Sequence, residues 1–168
     1  SISDVENADI LLVPGASDAT TLSNYPEILH WLRSIHTTTT WTVSVCTGSL
    51  ILGAAGILSG LAATTHWAAF DRLKIWNAKP TKARVVEDGK VITAAGVSAG
   101  VDMALILAYK IAGEKFAKTM QLGIEYDPDP PFDAGSPDKA DPDIREALRA
   151  RMEAKFETMK IAKVGCRI

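Results

Sequence analysis

Trp41-Thr42-Val43-Ser44-Val45-Cys46-Thr47-Gly48-Ser49 is the stretch that decides the fold. Its first five residues are rich in β-branched side chains, which suit a pleated strand, so a strand is expected over Trp41 to Val45, stopping at Cys46. Thr47 to Leu58 then runs apolar with small residues (Gly48, Gly53, Ala54, Ala55, Gly56), the composition of a helix packed closely against a sheet. A strand that feeds straight into a helix is half of a βαβ unit. The expected architecture is a doubly wound, parallel sheet covered by helices on both faces.

The flanking sequence repeats the alternation. Upstream, Ile10 to Val13 is a short apolar strand stopped by Pro14-Gly15, and Pro26 opens a helix with Ile28, Leu29, Leu32 and Ile35 on one face. Downstream, Ala62 to Thr65 reads as a short strand and Trp67 to Leu73 as a helix. Arg84 to Val86, the Asp88-Gly89 turn and Val91 to Thr93 form a hairpin. An apolar helix over Ala99 to Ala112 precedes a second over Lys115 to Ile124. Residues 127–142 form a proline-rich loop, in which Pro128, Pro130, Pro131 and Pro137 block regular structure. A C-terminal helix over residues 143–162 places Leu148, Met152, Phe156 and Met159 on one face. With no repeat or internal boundary, residues 1–168 read as one domain.

Lys plus Arg number 18 against 20 Asp plus Glu, a net charge of −2, which leaves no basic footprint for nucleic acid or anionic membrane. No apolar run reaches the roughly 20 residues of a membrane helix, and no signal-peptide pattern is visible. The two cysteines, Cys46 and Cys166, stand in unlike contexts, so no disulfide scaffold is expected. These counts point to a soluble, reduced, cytoplasmic domain.

In doubly wound sheets ligands sit where strands end and helices begin. Two junctions qualify, Pro14-Gly15-Ala16 and Cys46-Thr47-Gly48. A thiol at a helix N-terminus meets the positive end of the helix dipole, which favours thiolate, and a sharp turn exposes it in the manner of a nucleophile elbow. A small buried hydrophobe is the competing reading of Cys46, and the pattern alone divides the two evenly. Thr47 offers a hydroxyl and an N–H beside the sulfur, or is merely the start of a helix. Gly15 and Ala16 can aim N–H groups at a developing anion, or form only a turn. His66 is either a partner for the thiol or a packed or capping residue beside Trp67. His30 and His36 carry no role, and Cys166 reads as exposed and inert. No His/Cys/Asp/Glu group has metal-ligand spacing and the phosphate-loop motif is missing, so no metal or cofactor is expected.

Four segments together resemble the DJ-1/PfpI superfamily: Ala8 to Gly15, Val45 to Ser49, Ala63 to Trp67 and Gly89 to Gly96. Gln121-Leu122, followed by Glu125 to Pro137, is similar to the isonitrile (isocyanide) hydratase branch. The resemblance implies a flavodoxin-like fold, a homodimer and a small-molecule substrate. It also implies Cys46 as nucleophile, forming a thioimidate that water resolves to an N-formamide. Thr47 would then support the thiol, Gly15, Ala16 and Gly48 would line the substrate and oxyanion pocket, and His66 falls where many members carry a histidine. The chain departs from the family at Ala16, where a second glycine is usual. It also lacks a counterpart of the first strand and helix, which supply an acid beside the cysteine; Asp4, Glu6 and Asp9 do not take that role. The resemblance therefore implies an N-terminally incomplete domain. The sensor domain of AraC-type regulators shares the Cys-Thr-Gly and Thr-Thr-His-Trp patterns and is the alternative; amidase or protease, glyoxalase and chaperone-like activities occur in the wider superfamily.

Overall fold

The β-branched run forms a strand where its composition places one. In the computed structural model, which describes residues 2–16 and 24–157, β1 (Ile10–Val13) and β2 (Trp41–Val45) pair in parallel, from Ile10 opposite Trp41 to Val13 opposite Ser44. The crossover is α1 (Pro26–Thr38), which opens on a proline and buries Leu29, Leu32 and Ile35 against the sheet. After β2 come α2 (Gly48–Ala54), the short parallel pair β3 (Ala62–Ala63) and β4 (Lys79–Pro80), and the hairpin β5 (Val85–Asp88) and β6 (Val91–Ala94). The hairpin turns through Gly89 at φ 60° with Asp88 opposite Val91, a two-residue loop that requires a left-handed position. β6 lies parallel to β2, so the main sheet runs β1-β2-β6-β5 and only β5 is antiparallel.

Helices pack on both faces of this sheet, as the alternation of strands and helices implies, although the second face is bare over β1. Leu11 and Val13 pack with Leu29, Leu32 and Ile35 of α1 and Leu50, Ile51 and Leu52 of α2. On the other face Val43, Ile92 and Ala94 meet Ala99 and Met103 of α3 (Val97–Gly123). A break in α3 at Gly113 (φ 82°, ψ 174°) separates its two expected helices. The last helix, α4 (Pro142–Glu157), inserts Phe156 into the first core. Met159, Cys166 and the remainder of the expected 143–162 helix lie outside the described residues. Within the described residues β1 is an edge strand, and its Ile10 and Leu12 (53% exposed) alternate with the buried Leu11 and Val13. No described helix is long and apolar enough to cross a membrane.

Three expected boundaries need correction. The helix expected over Thr47 to Leu58 ends at Ala54, because Gly56 adopts φ 79° and closes a Schellman motif. There the Gly56 N–H donates to the Gly53 carbonyl at 2.8 Å and the Ile57 N–H to the Leu52 carbonyl at 3.0 Å. The strand expected over Ala62 to Thr65 pairs only at Ala62 and Ala63, since the Thr64 N–H turns instead to a side chain, Thr93 Oγ1. Trp67 onward is wound as a 3₁₀ helix over Trp67–Trp76, capped at its N-terminus by the His66 side chain.

Candidate active site

The elbow is assembled where β2 stops. Cys46 takes φ 58°, a left-handed backbone uncommon outside glycine, so the chain reverses sharply between Val45 and α2. Its thiol is free and half-buried. Its N–H donates to the Ala94 carbonyl at the end of β6 at 3.0 Å. Its carbonyl accepts from Thr65 Oγ1 at 2.9 Å and from Ser49 Oγ at 3.2 Å. These bonds all hold the backbone, which leaves the side chain to the crevice.

Thr47 does not cap α2 with its hydroxyl. It reaches the loop after β1, where Thr47 Oγ1 donates to the Ala16 carbonyl at 2.8 Å and accepts from the Ala16 N–H at 3.1 Å. This ties both suspected junctions into one site. It also alters the expected role of Ala16, whose N–H is committed to Thr47 and cannot serve as an anion donor. Gly15 and Gly48 are present for closeness rather than for a special φ. A Cβ on Gly15 would stand 2.8 Å from Cys46 Cβ, and one on Gly48 would stand 2.1 Å from the Val13 carbonyl oxygen.

His66 belongs to the neighbouring loop, but its ring is engaged elsewhere. Nδ1 accepts the Ala68 N–H at 3.3 Å and the ring lies 5.7 Å, centroid to centroid, from Trp67. Burial holds its imidazole below the ordinary histidine range. The capping reading of His66 is the one the geometry describes. Asp9 stands at the opposite end of the sheet from Cys46, because its carbonyl accepts from the Thr40 and Trp41 N–H groups ahead of β2. A cavity of about 200 Å³ lined by Trp67, Phe70, Arg72 and Arg149 lies between the 3₁₀ helix and α4 and includes none of the elbow residues. Among the described residues no three His, Cys, Asp or Glu side chains are grouped to hold a metal.

Sequence reasoning gave no role to Thr65, Ser49 and Ala94, which fix Cys46, although all three lie within the segments that resemble the family. It also passed over Ser44, whose buried hydroxyl has no partner among the described residues.

A mostly parallel sheet with helices packed on both faces, and a left-handed strand-to-helix elbow at the end of β2, defines the class: a flavodoxin-like α/β protein. The chain belongs to the DJ-1/PfpI family, a model of which matches residues 1–110. It is 46% identical over 143 residues to an isonitrile hydratase of Pseudomonas putida, a match covering 85% of this chain and 63% of that protein. The crystal structure of a ThiJ/PfpI family protein from Pseudomonas syringae superposes with a TM-score of 0.86 at 39% identity, covering 92% of this chain and 66% of that one. An HTH-type transcriptional regulator, CdhR of Pseudomonas aeruginosa, is 33% identical over 96 residues, 55% of this chain and 28% of the regulator. The chain thus spans somewhat under two thirds of the isonitrile hydratase it matches.

Proposed function

We propose that this chain carries the nucleophile of a cysteine-dependent isonitrile hydratase-like enzyme, with Cys46 as the attacking group. The observation that carries the reading is the 46% identity with an isonitrile hydratase. The strained elbow, which presents a free thiol at the end of β2, supports it. The Cys46 sulfur bonds to the terminal isonitrile carbon, the carbon–nitrogen triple bond becomes a double bond, and a proton is added to that carbon, giving a thioimidate. Water then adds to the same carbon, a proton goes to nitrogen, and the carbon–sulfur bond breaks. The thiol is regenerated and an N-formamide leaves.

The isonitrile and one water supply every atom of the formamide and no electrons are exchanged, so the reaction needs no redox cofactor. Gly15 packs against the cysteine and, with Ala16 and Gly48, shapes the wall of the pocket. Thr47 acts by holding Ala16 against the elbow, and His66 by capping the helix after Thr65 rather than by taking a proton from the thiol. A thiol nucleophile must stay reduced, which fits the cytoplasm. The exposed apolar arm formed by the second half of α3 fits a homodimer.

The test is direct. An alkyl isonitrile incubated with the protein should yield the matching N-formamide by NMR, and Cys46→Ser should lower turnover roughly a thousandfold or more, because a serine hydroxyl stays protonated near neutral pH. Formamide production undiminished in Cys46→Ser would remove the thiol from the mechanism. Residues 1–168 alone should turn over far more slowly than a chain spanning the whole length of the matched isonitrile hydratase, since positioned proton transfer typically contributes about 10²–10⁴-fold. No formamide from that longer chain would favour the regulator-like sensor reading.

A further inference from the structure

We propose that Thr65 is the positioning residue of Cys46, an inference that rests on the reading of Cys46 as the nucleophile. A non-glycine residue at φ 58° is strained and persists only where its surroundings over-determine it. A carbonyl oxygen has two lone pairs. At Cys46 both are answered, by Thr65 Oγ1 at 2.9 Å and Ser49 Oγ at 3.2 Å, while the N–H is held by Ala94 at 3.0 Å. Both hydroxyl residues are buried, Thr65 at 1% exposure and Ser49 at 0%, so the two donors are withdrawn from water.

The two hydroxyls are not equivalent. Ser49 lies in the first turn of α2, three residues from Cys46, and comes into place with the helix itself. Thr65 is 19 residues away and arrives from the segment after β3. That segment is in turn fixed to β6, because the Thr64 N–H donates to Thr93 Oγ1 at 2.9 Å. The Cys46 N–H is tied to the same strand, one residue on, at Ala94. One strand end therefore references both peptides that flank the strained residue. Its backbone angles set where the thiol points and where the Thr47 N–H points. Turning Cys46 to an ordinary φ would change the placement of its side chain relative to the loop at Gly15. The Thr-Thr-His-Trp stretch thus contributes to the site through the hydroxyl of Thr65, while the imidazole of His66 caps the Ala68 N–H.

The experiment compares Thr65→Val, which keeps the β-branched shape without the donor, with Thr65→Ser, which keeps the donor. Two readouts are followed: isonitrile hydration, and iodoacetamide alkylation read on the Cys46 peptide by mass spectrometry. Thr65→Val is expected to lower kcat about 10- to 100-fold with KM nearly unchanged, and to slow Cys46 alkylation as well. Thr65→Ser should restore both. Alkylation that is slowed by Val and rescued by Ser, with no formamide even from a chain spanning the full length of the matched hydratase, would sink the hydratase reading and support the positioning role. Unchanged alkylation and kcat in Thr65→Val, or equal losses in Val and Ser, would overturn the positioning role. Where Thr65→Val fails to fold by circular dichroism, Thr65→Ala takes its place with the same outcomes.

Discussion

Thr42 is fully buried on β2, yet its hydroxyl has two partners, His36 Nδ1 and Thr39 Oγ1, each at 2.8 Å. Beside them Lys90 Nζ donates to the carbonyls of His36 and Thr39 at the end of α1. Burial first, and the Lys90 charge second, hold the His36 imidazole below its ordinary range. The unfolded chain therefore binds more protons than the folded one as pH falls through about 6.5, so stability drops on the acid side and levels off once the folded histidine also protonates. His66, lowered by burial, adds a term of the same sign. The melting temperature should fall between about pH 7 and 5. His36→Gln should make that slope shallower, and an unchanged slope in the variant would rule His36 out as its source.

At the scale of elements, the loop after β1 and the start of α2 touch backbone to backbone. An alanine Cβ at position 48 would meet Val13 O at 2.1 Å and Pro14 C and O at 2.9 Å, and no side-chain rotation relieves contacts to backbone. Gly56 is the opposite case, since its φ is 79° but nothing lies within 4 Å of the added Cβ. Gly56→Ala should cost about 1–2 kcal/mol through the left-handed penalty alone. Gly48→Ala should reach or exceed the upper end of the about 1–3 kcal/mol typical of overpacking, and should blunt Cys46 alkylation as the elbow shifts. Urea denaturation of the two variants gives the order, and a Gly48→Ala milder than Gly56→Ala would contradict it. A second contact between elements is reciprocal. Arg72 of the 3₁₀ helix lies 4.3 Å from the Phe156 ring of α4, and Arg149 of α4 lies 5.4 Å from the Trp67 ring.

Across the whole molecule, apolar surface is unevenly distributed. Beyond the break at Gly113, α3 exposes Phe116, Met120 and Leu122 (82%), followed by Ile124 and then Phe132 (79%) in the proline-rich loop. The start of that loop is held in place, because Tyr126 donates to Asp102 Oδ1 at 2.7 Å and Gln121 to the Tyr126 carbonyl at 3.1 Å. Burial pushes the Asp102 carboxyl up, but the hydrogen bonds from Tyr126 and Arg84 outweigh it and hold the group below the usual carboxylate range. An ordered arm with this much apolar surface is what a subunit contact would cover. Sedimentation should show the proposed homodimer, and Phe116→Glu with Leu122→Glu should shift it to monomer. A clean monomer for the unsubstituted protein at high concentration would count against the arm as an interface. The open edge of β1, with Ile10 and Leu12 exposed, should add concentration-dependent self-association that these substitutions leave untouched.

Much of this architecture was legible in the chain because its signals are local. The β-branched run Trp41 to Val45, the spacing of Leu29, Leu32 and Ile35, the Asp88-Gly89 turn and the break between the two halves of α3 each depend on a few neighbouring residues. So does the junction that puts Cys46 between a strand and a helix. Gly56 was a readable stop for α2, passed over because small apolar residues continue beyond it. Tertiary structure alone decided how the site's polar groups are paired. Thr47 meets Ala16 across 31 residues, Thr65 meets Cys46 across 19, and the Thr64 N–H meets Thr93 across 29. Hydrogen bonds over such separations depend on strand register and on the direction each chain leaves the sheet. Composition and periodicity name the groups that need partners, but only the packed sheet determines which partners they find.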